Sequence, residues 1–179
     1  MGNLTNWFQP EPTKKAIYEG IYPATIIAAR LFTKDKEVDN KTIQREVVEL
    51  TFKTLGETKF PDGSQDKIIV SQQYYFDVPM HQNALNGIAR AFGIDKMEDT
   101  AQFEGKVGIV GIINREYDAN DGTKKYVPQL GEGLFSYAPM AQGANVDYLA
   151  NHLQGEDITN KDKRMEWFKS TLANYRQPR

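Results

Sequence analysis

The sequence predicts a mainly β fold: five strands curved into a barrel, one helix, and a helical C-terminal appendage. Three observations carry that prediction. Five stretches rich in β-branched and aromatic residues are bounded by turn residues. One segment with three- and four-residue apolar spacing stands between the third and fourth of them. Gly108 and Gly111 interrupt the fourth, as a bend or bulge in a strongly curved sheet requires.

The first stretch, "GIYPATIIAARLFT" (Gly20–Thr33), is apolar on both alternating faces, with Ile21, Ile27 and Leu31 on one and Tyr22, Ile26 and Phe32 on the other. A strand buried on both sides, or long enough to serve two sheets, has this composition. Pro23 suits an edge or first position, because proline donates no ladder hydrogen bond. "KDKEVDNK" (Lys34–Lys41) lacks apolar periodicity and reads as a charged loop. "TIQREVVELTFKTL" (Thr42–Leu55) sets Val48, Leu50 and Phe52 against Arg45, Val47, Glu49, Thr51 and Lys53, the alternation of a half-buried antiparallel strand. "GETKFPDGSQD" (Gly56–Asp66) is a loop around a Pro-Asp-Gly turn.

The third strand is "KIIVSQQYYFDV" (Lys67–Val78), with Ile68, Val70, Tyr74, Phe76 and Val78 on one face and Ile69, Ser71, Gln73, Tyr75 and Asp77 on the other. "HQNALNGIARAFG" (His81–Gly93) changes period: Leu85, Ile88, Ala89 and Phe92 form a helical stripe that Gly93 is suited to end. "GKVGIVGIINREY" (Gly105–Tyr117) and "TKKYVPQL" (Thr123–Leu130) are strands four and five. Strand, strand, strand, helix, strand, strand is the order of the five-stranded OB-fold barrel. An open sheet packed on one helix gives a similar string, and the curvature signals favour the barrel.

Three regions follow: an N-terminal arm (1–18), the barrel domain (19–132) and an appendage (133–179). Trp7 and Phe8 are expected to staple the arm to the core. In the appendage, "GLFSYAPMAQGAN" reads as loop and Asn145–Gly155 as a short helix. A better helix covers about 160–175, where Met165, Phe168, Leu172 and Tyr175 form an apolar stripe and Trp167 reads as packing.

Composition narrows the chemistry. The chain has 179 residues, 40% hydrophobic and 26% charged, enough for one domain and an appendage. No apolar run approaches the roughly 18 residues of a membrane span, and the first residues lack the order of a secretory signal. A cytoplasmic protein without membrane partners is expected. Cysteine is absent, which removes disulfides, thiolate metal sites and cysteine nucleophiles. His81 and His152, the two histidines, have no ligand-like spacing. No GxxxxGK, GxSxG or HExxH motif occurs, so neither an enzyme nor a cofactor is expected. Net charge is −2, so any polyanion site must be a local patch.

"REYDANDGTKKYVPQL" (Arg115–Leu130) has the look of a calcium loop at Asp118, Asn120, Asp121 and Gly122. Ligand spacing slips by one there, and Lys124 and Lys125 oppose a divalent cation, so a hairpin tip is the expected structure. OB folds hold single strands across strands two and three and between the loops joining strands one–two and four–five. Cations there track phosphates, and aromatic faces stack bases. The polar faces of strands two and three carry Arg45, Lys53, Gln73 and Tyr75, and the second hairpin carries Arg115, Tyr117, Lys124, Lys125 and Tyr126. The first loop carries Lys34, Lys36 and Lys41, diluted by Asp35, Glu37 and Asp39. At the expected start of the helix, His81 reads as a capping or partly buried residue.

The chain resembles phage-encoded OB-fold single-stranded-DNA-binding and replication accessory proteins. "EGIYPATIIAARL", "REVVELTFKTL", "NALNGIARAFGI", "FEGKVGIVGIINREY" and "KKYVPQL" carry the resemblance, over Glu19–Leu130. It implies non-catalytic binding of single-stranded DNA in phage replication or recombination, inside a bacterial host. Arg45, Lys53, Tyr75, Arg115, Lys124 and Lys125 would then contact the strand. Many such proteins end in an acidic tail, whereas this chain ends in the basic "FKSTLANYRQPR". Its last helix is left to dock on the barrel or to mediate self-association. The alternative is an OB-like module that binds a phage or host protein.

Overall fold

The computed structural model describes residues 11–131, 137–138, 151–152, 162–163, 165–167 and 169–170. The protein is mainly β. Its strands are β1 (Gly20–Val38), β2 (Lys41–Thr54), β3 (Thr58–Lys59), β4 (Gln65–Asp66), β5 (Ile69–Tyr75), β6 (Val107–Asp118), β7 (Lys124–Leu130), β8 (Tyr137–Ala138) and β9 (Asn151–His152). One helix, α1 (Pro79–Ala91), and a 3-10 turn (Thr100–Phe103) separate β5 from β6. A single antiparallel sheet runs β5-β2-β1-β6-β7, with β8 added to β6 and β9 to β1. β3 and β4 form a separate small ribbon around the Pro61-Asp62-Gly63 turn.

β1 organises the sheet by changing partners along its length. Gly20–Thr25 pair with β6, and Ala24–Val38 pair with β2. At the hand-over the register slips between Ile26 and Ala28, which leaves Ile27 without a partner in β2. This β-bulge reverses the parity of the strand. Ile21 and Thr25 lie on the outer face, Tyr22, Ala24 and Ile26 point to the core, and beyond the bulge the even-numbered residues face outward. The expected faces of this strand are therefore corrected: Ile26 shares Tyr22's face, whereas Phe32 lies on the opposite one. The expected bulge in β6 is absent, since its register with β1 is continuous through Gly108 and Gly111.

Gly108 has another use. A Cβ there would fall 2.6–2.8 Å from ring carbons of Phe92, so the missing side chain is the space that the ring fills. Phe92 meets Phe52 edge-on at 5.8 Å between centroids. These rings join Val48, Leu50, Val70, Tyr74, Leu85, Ile88, Val110, Ile112 and Leu130 in one core between the sheet and α1. α1 begins with Pro79, whose missing N–H costs nothing in a first turn, and ends before Gly93 at φ +86°. Leu85, Ile88 and Ala89 of the expected stripe are buried, with Phe92 just beyond the helix, and Ala84 joins them.

The expected barrel is not closed. β5 and β7, at the two ends of the strand order, come against each other without a hydrogen-bonded ladder between them. The N-terminal arm docks by hydrogen bonds: the Thr13 N–H donates to the Ile69 carbonyl, the Thr13 hydroxyl accepts from the Ile69 N–H, and the Asn114 side-chain amide brackets both backbone groups of Ile17 at 2.8 Å. Ile17 is buried. Trp7 and Phe8 lie outside the described residues. The short helix expected over Asn145–Gly155 is corrected at Asn151 and His152, which pair with Ile21 and Gly20 as strand. The described residues between 162 and 170 are helical, as expected there. Among the described residues no helix is long and apolar enough to cross a membrane.

The largest correction concerns Lys34–Lys41. Instead of a loop, β1 runs on to Val38, turns through Asp39 (φ 51°) and Asn40 (φ 63°), and returns as β2. Two successive positive φ values make the two-residue turn whose twist matches a hairpin. Rungs from Thr33↔Glu46 to Val38↔Lys41 form an arm that, among the described residues, pairs with no third strand and reaches about 20 Å.

Two stability measurements test this packing. Gly108→Ala should lose about 1–3 kcal/mol in urea unfolding, because the Phe92 ring is held on all sides. Tyr74 buries a hydroxyl that has no hydrogen-bond partner among the described residues. Tyr74→Phe should therefore leave stability unchanged or raise it, since an unsatisfied buried group is a net cost.

Candidate nucleic-acid interface

Pleat parity decides which of the candidate residues stand together. On the arm and the sheet below it, Arg30, Phe32, Lys34, Lys36 and Val38 of β1 share the outer face with Lys41, Ile43, Arg45, Val47, Glu49, Thr51 and Lys53 of β2. Ser71, Gln73 and Tyr75 of β5 continue it. Asp35, Glu37 and Glu46 occupy the opposite face with Leu31, Thr33, Thr42 and Gln44. The acidic residues that looked like a dilution of Lys34 and Lys36 therefore point away from them.

Contacts along the outer face form a chain. Arg30 Nε donates to Glu49 at 2.9 Å, and the other Glu49 oxygen accepts from Gln73 at 2.9 Å. Lys34 Nζ donates to the Gln73 carbonyl oxygen at 2.7 Å and stands 5.9 Å from the centre of the Tyr75 ring. Arg45 stacks on Tyr75 at 4.1 Å and donates to both oxygens of Asp77. This bidentate pair holds the Asp77 carboxyl below its usual range. Arg30 caps Phe32 at 4.5 Å, and Val47 is buried between Phe32 and Tyr75 in the register. Lys36, Lys41 and Lys53 make no ion pair among the described residues.

His81 fixes the end of β5. Its Nδ1 accepts the Tyr75 N–H at 3.0 Å, and its ring lies 5.7 Å from that of Tyr75. The ring is partly buried, as expected, and rather than capping the helix the imidazole takes the place of a strand partner. Burial, then the charge of Arg45, push its pKa below the usual value, against an opposing contribution from Asp77.

The second hairpin has the expected tip. Ala119 and Thr123 close it, Gly122 takes φ +83°, and the Asp121 carboxylate accepts from the Thr123 N–H and hydroxyl. Its candidates are split between faces. Arg115, Tyr117 and Lys125 share the outer parity, while Lys124 and Tyr126 share the other with Glu116. Lys124 is moreover paired with Glu116 at 2.7 Å. Arg45, Lys53 and Tyr75 are thus brought onto one surface, and Lys124 is not part of it. Arg30, Phe32, Lys34, Lys36 and Lys41 complete that surface. Their signal in the sequence was the strict alternation of "RLFTKDKE", which a strand reading would have sorted into a basic and an acidic face.

No protein-family model matches the sequence, and a comparison with curated proteins returns no match.

The His81 arrangement has a pH signature. A folded state that prefers the neutral ring keeps its stability above about pH 6.5 and loses it as pH falls through the lowered folded pKa. Urea unfolding at pH 7.5 and pH 5 should show that loss, and His81→Asn, which keeps an acceptor but cannot titrate, should reduce it.

Proposed function

We propose that the protein binds single-stranded DNA without catalysis and with little sequence preference, along the outer face of β1, β2 and β5. The observation that carries this reading is the segregation of charge by the pleat. Arg30, Lys34, Lys36, Lys41, Arg45 and Lys53 share one face with Tyr75 and Phe32, while Asp35, Glu37 and Glu46 take the other. Lysine on an exposed strand also blocks edge-to-edge pairing. That use does not require cations on one face only, whereas a phosphate track does. Lys34 and Lys36 stand about 7 Å apart along one strand, a spacing set by two residues of β structure.

The strand order supports an OB-type reading: β1 is central between β2 and β6, and β5 and β7 meet at the open seam of a partly closed barrel. Single strands lie on that surface in such folds. Aromatic and guanidinium planes supply sequence-tolerant stacking, here through the Tyr75–Arg45 and Phe32–Arg30 pairs. Phage-type replication or recombination in a bacterial cytoplasm is the setting that the sequence resemblance implies. Arg115, Tyr117 and Lys125 share the outer parity on the second hairpin and would extend the track, whereas Lys124 and Tyr126, on the opposite face, would not.

A second reading has its own observation. Leu31, Val38 and Ile43 are 54%, 39% and 42% exposed on the arm, which suits a protein partner. Fluorescence anisotropy with labelled oligo(dT) and duplex DNA at two salt concentrations separates the two. Single-strand binding that weakens with salt is expected. Lys34→Glu/Lys36→Glu/Lys41→Glu should weaken it by roughly tenfold or more and flatten the salt slope. Lys124→Glu/Lys125→Glu should weaken it less. No binding at low salt would abandon the single-strand reading in favour of the protein partner.

A further inference from the structure

Two arginines on the outer face are paired with carboxylates, and the pairs differ in kind. Glu49, the partner of Arg30, has a side chain 14% exposed and commits its second oxygen to the Gln73 amide. It is locked into the sheet. Asp77, the partner of Arg45, lies past the end of β5 in the turn before α1, with its side chain 49% exposed. Among the described residues it accepts from no other side chain. The fork is nonetheless well formed, with Nε to Oδ2 at 2.7 Å and Nη2 to Oδ1 at 2.8 Å.

The guanidinium itself is fixed from behind. It stacks on Tyr75 at 4.1 Å, its side chain is 17% exposed, and His81 holds the Tyr75 backbone. Lys36, on the same pleat face, adds positive charge at Asp77. A rigid guanidinium fork that takes a carboxylate in two parallel bonds takes a phosphate in the same geometry.

Resting on the single-strand reading above, we infer that the Arg45 fork is a phosphate subsite of the nucleic-acid track, which Asp77 fills in the free protein. The carboxylate stands in for a backbone phosphate. On binding, the phosphate takes both guanidinium N–H groups, and Asp77 turns out to solvent, where its charge is hydrated. Lys34 and Lys36 then flank the bound phosphate on the arm. The exchange changes ionic partners only and consumes no reactant.

Oligo(dT) anisotropy on the full chain tests this with Asp77→Asn, which keeps the size of the side chain and removes its charge. Asp35→Asn makes the same charge change on the opposite face and is the control. Asp77→Asn should bind roughly two- to fivefold tighter than the unaltered protein, the worth of an exposed ion pair. Its salt slope should stay unchanged, because the phosphate takes the fork in both proteins, whereas Arg45→Gln should flatten the slope by about 0.7, one phosphate contact on a single strand. Asp35→Asn should change affinity less than twofold, and Arg45→Gln combined with Asp77→Asn should abolish the gain. Melting curves of each variant establish that it is folded. Equal effects of Asp77→Asn and Asp35→Asn, or a gain that survives Arg45→Gln, would overturn the subsite. Failure of the unaltered protein to bind would instead remove the single-strand reading on which the subsite rests.

Discussion

The structure depends on one change of register in β1. Up to Thr25 the strand is held by β6, and from Ala24 onward by β2, with Ile27 extruded at the crossing. Gly105 and Lys106 close the crossing through backbone bonds with Ile26. A regular strand of this length would keep one parity and carry its core face straight into the arm. The extra residue instead lets Tyr22, Ala24 and Ile26 fill the core and then sets Arg30, Phe32, Lys34 and Lys36 on the outside. Added twist at a bulge also suits a sheet whose end strands approach each other.

The arm illustrates how electrostatics rides on geometry. An isolated two-stranded ribbon is marginal in water, but this one continues a sheet in which Val47, Val48, Leu50 and Phe52 of β2 are buried. Its stability is borrowed from the core, and its side chains are free to serve another purpose. A near-neutral protein can thus present a face on which cations outnumber carboxylates, with Glu49 and Asp77 paired to two of the arginines. Net charge of −2 averages over two surfaces that the pleat keeps apart.

Much of this was legible in the sequence. The alternation of β2 and β5, the stripe of α1 with Gly93 at its end, and the tip at Asn120-Asp121-Gly122 were all readable because local chemistry dictates them. The arm was not read, because Asp39-Asn40 is an uncommon two-residue turn and "KDKE" carries no apolar signal for a strand. The bulge was sought at Gly108 and Gly111, where glycine marks it, yet it falls among Ile26, Ile27 and Ala28, whose side chains do not announce it. Gly108 answers to Phe92, a contact between distant segments that no local pattern encodes. For the same reason Arg45, Lys53 and Tyr75 could be placed on one face, while the pairing of Lys124 with Glu116 could not be foreseen. The addition of β8 and β9 to the sheet likewise joins segments remote in sequence.

Under the proposed function, one pleat face of the arm and the sheet below it would hold a single strand. Lysine acetylation footprinting, with and without oligo(dT), reads this residue by residue by mass spectrometry. Protection at Lys34, Lys36, Lys41 and Lys53, with Lys59 and Lys96 still reactive, is the predicted result. Protection confined to Lys124 and Lys125, or spread equally over Lys59 and Lys96, would contradict it.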